Sequence, residues 1–115
     1  MGWVLKRASD IHIERLDDIG EGKMSLCDAI AQPEGAPFTA GICEIWHGVP
    51  VPFEYDEHCD VACILEGELE LEEHGVLLRA GVGDIVYNSQ EPGRNVGWHS
   101  PSHVKFFYVT YPHWR

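Results

Sequence analysis

From Thr39 onward the chain reads as one short strand after another, with turn signals every ~8–12 residues, and that rhythm constrains the fold more than any other feature. It is clearest at residues 65–72, where Leu65, Leu69 and Leu71 fall on one face and Glu66, Glu68, Glu70 and Glu72 on the other. Period two with charge on one side specifies a half-buried antiparallel strand, which Gly67 interrupts as a bend or bulge would. Strands are expected at residues 40–47, 61–71, 76–79, 85–87, 96–99 and 103–111. In the last of these Val104, Phe106, Tyr108 and Thr110 share one face, and His103, Lys105, Phe107 and Val109 the other. Such a pattern predicts an all-β sandwich or jelly-roll barrel.

The first 38 residues are less regular. Residues 8–16 have some helical potential, Gly20 and Gly22 interrupt it, residues 23–30 suit a strand, and residues 32–37 form a Pro- and Gly-bearing turn. A chain of 115 residues has room for one core. Residues 1–38 are therefore expected as an N-terminal strand or arm packing on a barrel made by residues 39–115.

Eight Lys and Arg against 19 Asp and Glu give a net charge of −11. That balance argues against nucleic acid, whose phosphates need clustered basic residues, and biases an acidic cavity towards cations. No apolar run approaches the ~20 residues of a membrane span, and the N-terminus lacks the charge order of a secretory signal. Position 6 is Lys where a myristoylation signal wants Ser or Thr. Cys27, Cys43, Cys59 and Cys63 form no Cys-x-x-Cys pair. Cys59 and Cys63 would lie roughly 13 Å apart on one strand, too far for a disulfide. Reduced thiols in a cytoplasmic protein are the expectation.

The segment from Gly48 to Gly67 contains Glu54, Asp56 and Asp60 between its bracketing glycines. This stretch, with residues 63–71 and 79–87, resembles the core of a cupin, a double-stranded β-helix or jelly-roll barrel. The first cupin motif, G-x5-H-x-H-x3-E-x6-G, meets Gly48, Glu54, Asp56, Asp60 and Gly67 without a gap. The second, G-x5-P-x-G-x2-H-x3-N, meets Gly83, Ser89, Glu91, Arg94 and Trp98, and keeps only its glycine. The closing stretch from Ser100 to Trp114 is similar to the end of the ethanolamine-utilisation cupins, which have also lost the histidine set. The resemblance covers residues 41–114 and carries fold more firmly than chemistry, because cupins host many unrelated functions.

If residues 54–60 formed one regular strand, Glu54, Asp56, His58 and Asp60 would share a face. Three carboxylates and an imidazole suit one divalent ion, Mg²⁺, Mn²⁺, Fe²⁺ or Zn²⁺, with Glu54, His58 and Asp60 as ligands. The bland alternative is an exposed acidic loop with a solvated His58. Arg94, at the place of the missing histidine, needs a carboxylate partner if it turns inward, and Asp60 or Glu54 are the candidates. Its alternative is a solvated position in the Pro92-Gly93 loop. Trp46, Trp98, Phe106 and Tyr108 are candidate pocket walls, although core packing explains the same residues. His99 enters the pocket only if the loop before it shifts register. No Gly-x-Ser-x-Gly elbow and no glycine-rich phosphate loop is present.

The sequence thus predicts a small-molecule-binding cupin with a degenerate acidic site, pairing as a homodimer through a sheet edge. Glu54, Asp56, His58 and Asp60 form one wall, and Arg94, Trp98 and Tyr108 the other. One alternative is a metal-dependent isomerase, decarboxylase or dioxygenase with Tyr108 as general acid. Another, implied by the resemblance to ethanolamine-utilisation cupins, is acetate kinase activity associated with microcompartments. The few basic residues argue against that one.

Overall fold

A computed structural model describes residues 2–17 and 19–115. Ten strands form two antiparallel sheets: β1 (Glu14–Leu16), β2 (Met24–Ile30), β3 (Thr39–Trp46), β4 (Val51–Glu54), β5 (Cys59–Gly67), β6 (Leu69–Glu73), β7 (Val76–Ala80), β8 (Ile85–Asn88), β9 (Asn95–His99) and β10 (His103–Tyr111). The larger sheet runs β1-β2-β3-β10-β5-β8 and the smaller β4-β9-β6-β7. From β3 onward the pairing is nested. β3 joins β10, β4 joins β9, β5 joins β8 and β6 joins β7, alternating between the sheets. A long hairpin rolled up in this way is a jelly roll, and it leaves one interior between two inward faces.

That interior follows from side-chain parity. Ile45, Ile64, Val104 and Phe106 from the larger sheet pack against Val51, Leu69, Leu71, Val96 and Trp98 from the smaller. All four residues expected on one face of the last strand, Val104, Phe106, Tyr108 and Thr110, are buried. The early strand expected at residues 23–30 is β2, and its Met24 and Leu26 lie in the core. Together β1 and β2 extend the larger sheet, so residues 14–16 and 24–30 belong to the barrel wall. Where helical potential was read at residues 8–16, the chain makes only a 3-10 turn at Ala8–Asp10 before entering β1.

The strand expected at residues 61–71 is two strands in different sheets. β5 points Asp60, Ala62 and Ile64 inward, and the same parity carried onward would bury Glu66, Glu68 and Glu70. Unpaired carboxylates inside a barrel cost several kcal/mol each. Two devices reverse the phase. The register against β10 slips at Leu65, which is 42 % exposed rather than aligned with Leu69 and Leu71. Gly67 then turns the chain with φ of +76°, and a Cβ there would overlap the His103 carbonyl. After the turn Leu69 and Leu71 are buried.

Candidate functional site

Residues 54–60 do not form one strand. β4 ends at Glu54 in the smaller sheet, β5 begins at Cys59 in the larger, and the connection between them crosses the open end of the barrel. That break undoes the parity on which four inward side chains depended. Tyr55, not Glu54, is fully buried, whereas Glu54, Asp56 and Glu57 are exposed. Asp60 is 7 % exposed, and His58 is half-buried at the rim.

Asp56 has a structural task. Its carboxylate accepts the Gly93 N–H, and Gln90 donates to its carbonyl at 3.0 Å. The Tyr55 N–H donates to the Arg94 carbonyl at 2.9 Å, and the Glu91 N–H to the Tyr55 carbonyl at 3.0 Å. These bonds clamp the β4–β5 connection onto the loop before β9.

Inside the barrel, Asp60 Oδ2 accepts from the Tyr55 hydroxyl at 2.7 Å and Oδ1 from the Asn88 side-chain amide at 3.0 Å. Trp98 Nε1 in turn donates to the Tyr55 hydroxyl oxygen at 3.1 Å. Burial raises the Asp60 carboxyl above its ordinary range, against the opposing effect of these hydrogen bonds and of the His58 and Arg94 charges. The Tyr55 hydroxyl is pushed up too, by burial first and then by the neighbouring Asp60.

Arg94 turns inward but pairs with neither Asp60 nor Glu54. Its Nε and Nη2 grip Glu73 bidentately at 2.8 and 2.9 Å, Nη1 donates to the Ser89 carbonyl at 2.9 Å, and Nη2 also reaches Asn88 Oδ1 at 3.3 Å. The hydrogen bonds to Glu73 raise Arg94 and lower Glu73, so both stay charged. Glu73 is the last residue of β6, and its spacing of 21 positions from Arg94 gives no local sequence signal of the pair.

A cavity of about 30 Å³ lies in the barrel, walled by Phe53, Trp98, Phe106, Tyr108 and Trp114, with Asp60, His58 and Thr110 supplying its polar atoms and Leu26 and Cys43 its floor. Thr110 is 5 % exposed, and its Oγ1 has no hydrogen-bond partner among the described residues. Outside is an open cleft of about 610 Å³ edged by Glu54, Asp56 and Glu57. Phe53, His58 and Trp114 line both spaces and so stand between them.

Tyr108 contributes its ring to this wall and its hydroxyl to something else. The hydroxyl donates to Asp28 and lies 3.2 Å from the Cys27 carbonyl. Gly41 stands between Tyr108 and Asp28 in the sheet, and a Cβ there would overlap that hydroxyl and the Cys27 carbonyl. Burial and Asp28 push the hydroxyl's pKa far up. Asp28 also accepts from Trp114 Nε1 at 3.0 Å and Arg115 Nε at 2.8 Å, fastening the C-terminal segment across the barrel mouth.

Glu54, His58 and Asp60, the expected metal ligands, do not all line one cavity. Among the described residues no three His, Cys, Asp or Glu side chains converge as ligands. Glu54 is outside the barrel and does not line the cavity that Asp60 and His58 share. The residues present do not fit a three-ligand centre. His99 stays out of the cavity beside Glu70, 3.8 Å away, and Trp46 lies at the surface stacked on His103. Tyr55, Asn88, Thr110 and Trp114 were not read as site residues. Only Thr110 carried a legible signal, the inward parity of the last strand.

A family profile described as "Ethanolamine utilisation protein EutQ" matches residues 4–115. Two curated proteins named "Acetate kinase EutQ" are similar over 106 residues. The one from Salmonella typhimurium LT2 is 27 % identical, over 90 % of this chain and 44 % of its own length. The Escherichia coli K12 protein is 28 % identical, over 90 % and 43 % respectively. The chain thus spans less than half the length of these curated relatives. Among solved structures, a putative ethanolamine utilization protein Q from Salmonella typhimurium LT2 superposes with a TM-score of 0.79 at 24 % identity, covering 92 % of this chain and 83 % of the other. Ectoine synthase from P. lautus gives 0.76 at 18 % identity, covering 96 % and 79 %. A predicted oxalate decarboxylase from Thermotoga maritima gives 0.72 at 13 % identity, covering 95 % and 99 %. These likenesses establish the cupin fold.

Proposed function

The chain belongs to the ethanolamine utilisation protein EutQ family, and within that family we propose that it binds a small molecule in the barrel, entering at the neck formed by Phe53, His58 and Trp114. One observation carries the reading: the buried Thr110 hydroxyl has no partner among the described residues, and Thr110 lines a cavity. A buried hydroxyl without a partner costs about 1–3 kcal/mol, a cost that a ligand's polar group or a water would offset. The proposed contact set is His58, Asp60, Trp98 and Thr110, with Phe106 and the Tyr108 ring as apolar wall. Of the acidic residues, Glu54 and Asp56 act at the outer cleft, while Arg94 acts at a distance by holding Asn88 against Asp60.

The indole N–H groups of Trp98 and Trp114 give this reading a direct test. In an NMR titration with small polar compounds at millimolar concentration, binders in the cavity shift both indole signals while the exposed Trp3 and Trp46 stay fixed. If no compound moves them, or if Thr110→Val leaves every affinity unchanged, the reading fails.

The curated relatives' name favours a second reading, a part in acetate kinase chemistry. Nucleotide would have to approach a cleft edged by Glu54, Asp56 and Glu57, with Arg94 already committed to Glu73. A Mg²⁺-dependent thermal shift with ATP would support this reading, and no shift at millimolar ATP would end it.

We further propose a homodimer that covers β8, an edge of the larger sheet, and the face beside it. Val61, Leu65, Ile85, Tyr87 and Phe107 leave that outer face apolar in a chain of net charge −11, and Ile85 is 72 % exposed. On the same surface Lys105 pairs in register with Glu66, a cation and an anion that a two-fold copy can match reciprocally. Sedimentation of the native protein as a dimer and of Ile85→Lys as a monomer is expected; a monomeric native protein removes the proposal. The four cysteines carry free thiols, which supports a reducing, cytoplasmic setting, and a disulfide found in protein from fresh lysate would oppose it.

A further inference from the structure

We infer that the group taken by the inner cavity is a small alkylammonium, held between the Asp60 carboxylate, the Thr110 hydroxyl and the surrounding aromatic faces. This assignment rests on the small-molecule pocket proposed above and gives its ligand a chemical class.

The argument begins with an uncompensated charge. Asp60 is 7 % exposed, and the groups bonded to it, the Tyr55 hydroxyl and the Asn88 amide, are neutral. A buried carboxylate with neutral partners is costly, and it either takes up a proton or takes a cation. Arg94 is spent on Glu73 and reaches Asp60 through Asn88. Each Asp60 oxygen accepts one bond and has capacity for another. Thr110, paired in register with Asp60 across β10 and β5, supplies a second acceptor oxygen with no partner among the described residues. An ammonium group, with three donors and no acceptor, matches this set.

The rest of the wall agrees. Phe53, Trp98, Phe106, Tyr108 and Trp114 line the same cavity, and ring faces attract cations while giving an alkyl stem an apolar surface. At about 30 Å³ the space suits one or two water-sized groups, the size of a methylammonium head, with the stem leaving through the neck. On the approach, Glu54, Asp56 and Glu57 edge the outer cleft, a field that concentrates cations and repels carboxylates and phosphates. An anion of equal size meets the opposite of what it needs at each stage unless Asp60 is protonated.

Protonation therefore separates the two ligand classes by sign. The titratable or charged groups facing Asp60 and its cavity are Tyr55 and His58 from the β4–β5 connection, Arg94 beyond Asn88, Cys43 of β3 and Tyr108 of β10. Burial raises Cys43 and Tyr108, which keeps both neutral. Loss of a proton from Asp60 strengthens cation binding and weakens anion binding.

The probes are ethylammonium, acetate and ethanol, one cation, one anion and one neutral molecule of similar size, followed by the Trp98 and Trp114 indole signals from acid to neutral pH. Ethylammonium is expected to bind in preference to the other two, more tightly as pH rises. Asp60→Asn should weaken it roughly tenfold, and Thr110→Val, which keeps the side-chain shape and so guards against a folding defect in the first variant, by about threefold or more. If acetate or ethanol binds more tightly than ethylammonium, or if ethylammonium affinity does not rise with pH, the ammonium assignment falls while the pocket stands. If none of the three moves either indole, the ammonium assignment falls as well, and the wider compound titration decides the pocket separately.

Discussion

Asn88 stands directly across the β5–β8 ladder from Asp60 and donates its amide to Oδ1 at 3.0 Å, while its own carbonyl oxygen receives Arg94 Nη2 at 3.3 Å. The orientation is dictated from both ends: a carboxylate accepts and a guanidinium donates. Asn88 therefore transmits the position of a charged pair near the rim, Arg94 and Glu73, to a carboxylate inside the barrel.

Asn88→Ala removes both bonds and leaves Asp60 Oδ1 without its donor. A loss of about 1–3 kcal/mol in unfolding free energy is expected from urea denaturation. A change below roughly 0.5 kcal/mol, the scale of an ordinary surface substitution, would show that Asn88 does not organise the site.

Arg94→Lys should destabilise nearly as much as Arg94→Ala. A single ammonium cannot grip Glu73 bidentately and also reach the Ser89 carbonyl and Asn88. If the lysine variant recovers most of the native stability, charge rather than the guanidinium fork holds the loop.

Asp60→Asn should change how stability depends on pH. Burial raises the Asp60 carboxyl in the folded chain, so the native state holds its proton more tightly than the unfolded state. The contribution is in place below the unfolded pKa of ~4 and is lost as pH rises through the folded value. The variant should therefore gain on the native protein as pH climbs above about 4. A stability difference that stays flat in melting experiments across that window would mean the carboxyl is not perturbed.

Gly67→Ala should cost distinctly more than Gly75→Ala. Both glycines have φ of +76°, so both substitutions carry the strain of that conformation, about 1–3 kcal/mol. Only at Gly67 does the added Cβ meet a backbone carbonyl, that of His103, whereas nothing lies near Gly75. Equal losses for the two variants would remove the close approach as the reason for glycine at the phase reversal.

The strand rhythm was legible because burial writes period two directly into a chain. The inward set Val104, Phe106, Tyr108 and Thr110 could be named before any coordinates, and so could the jelly-roll class, through Gly48, Gly67 and Gly83. The residues expected around a pocket divide between two spaces. Asp60, His58, Trp98 and the Tyr108 ring do line the cavity, while Glu54 and Asp56 lie outside it. Their expected convergence assumed that parity runs unbroken from 54 to 60, and the change of sheet between β4 and β5 breaks it.

By itself, then, the sequence determined what local chemistry can encode: the strand rhythm from residue 39 onward, the need for glycine at position 67, and the acidic balance of the chain. Tertiary structure decided the pairings, because partners such as Asp60 with Asn88, Arg94 with Glu73 and Tyr108 with Asp28 are separated by 21 to 80 positions along the chain. No local pattern distinguishes one carboxylate from another at such a distance. Rolling the chain into nested pairs selects which one a guanidinium meets, which a hydroxyl meets, and which is left inside without a cation.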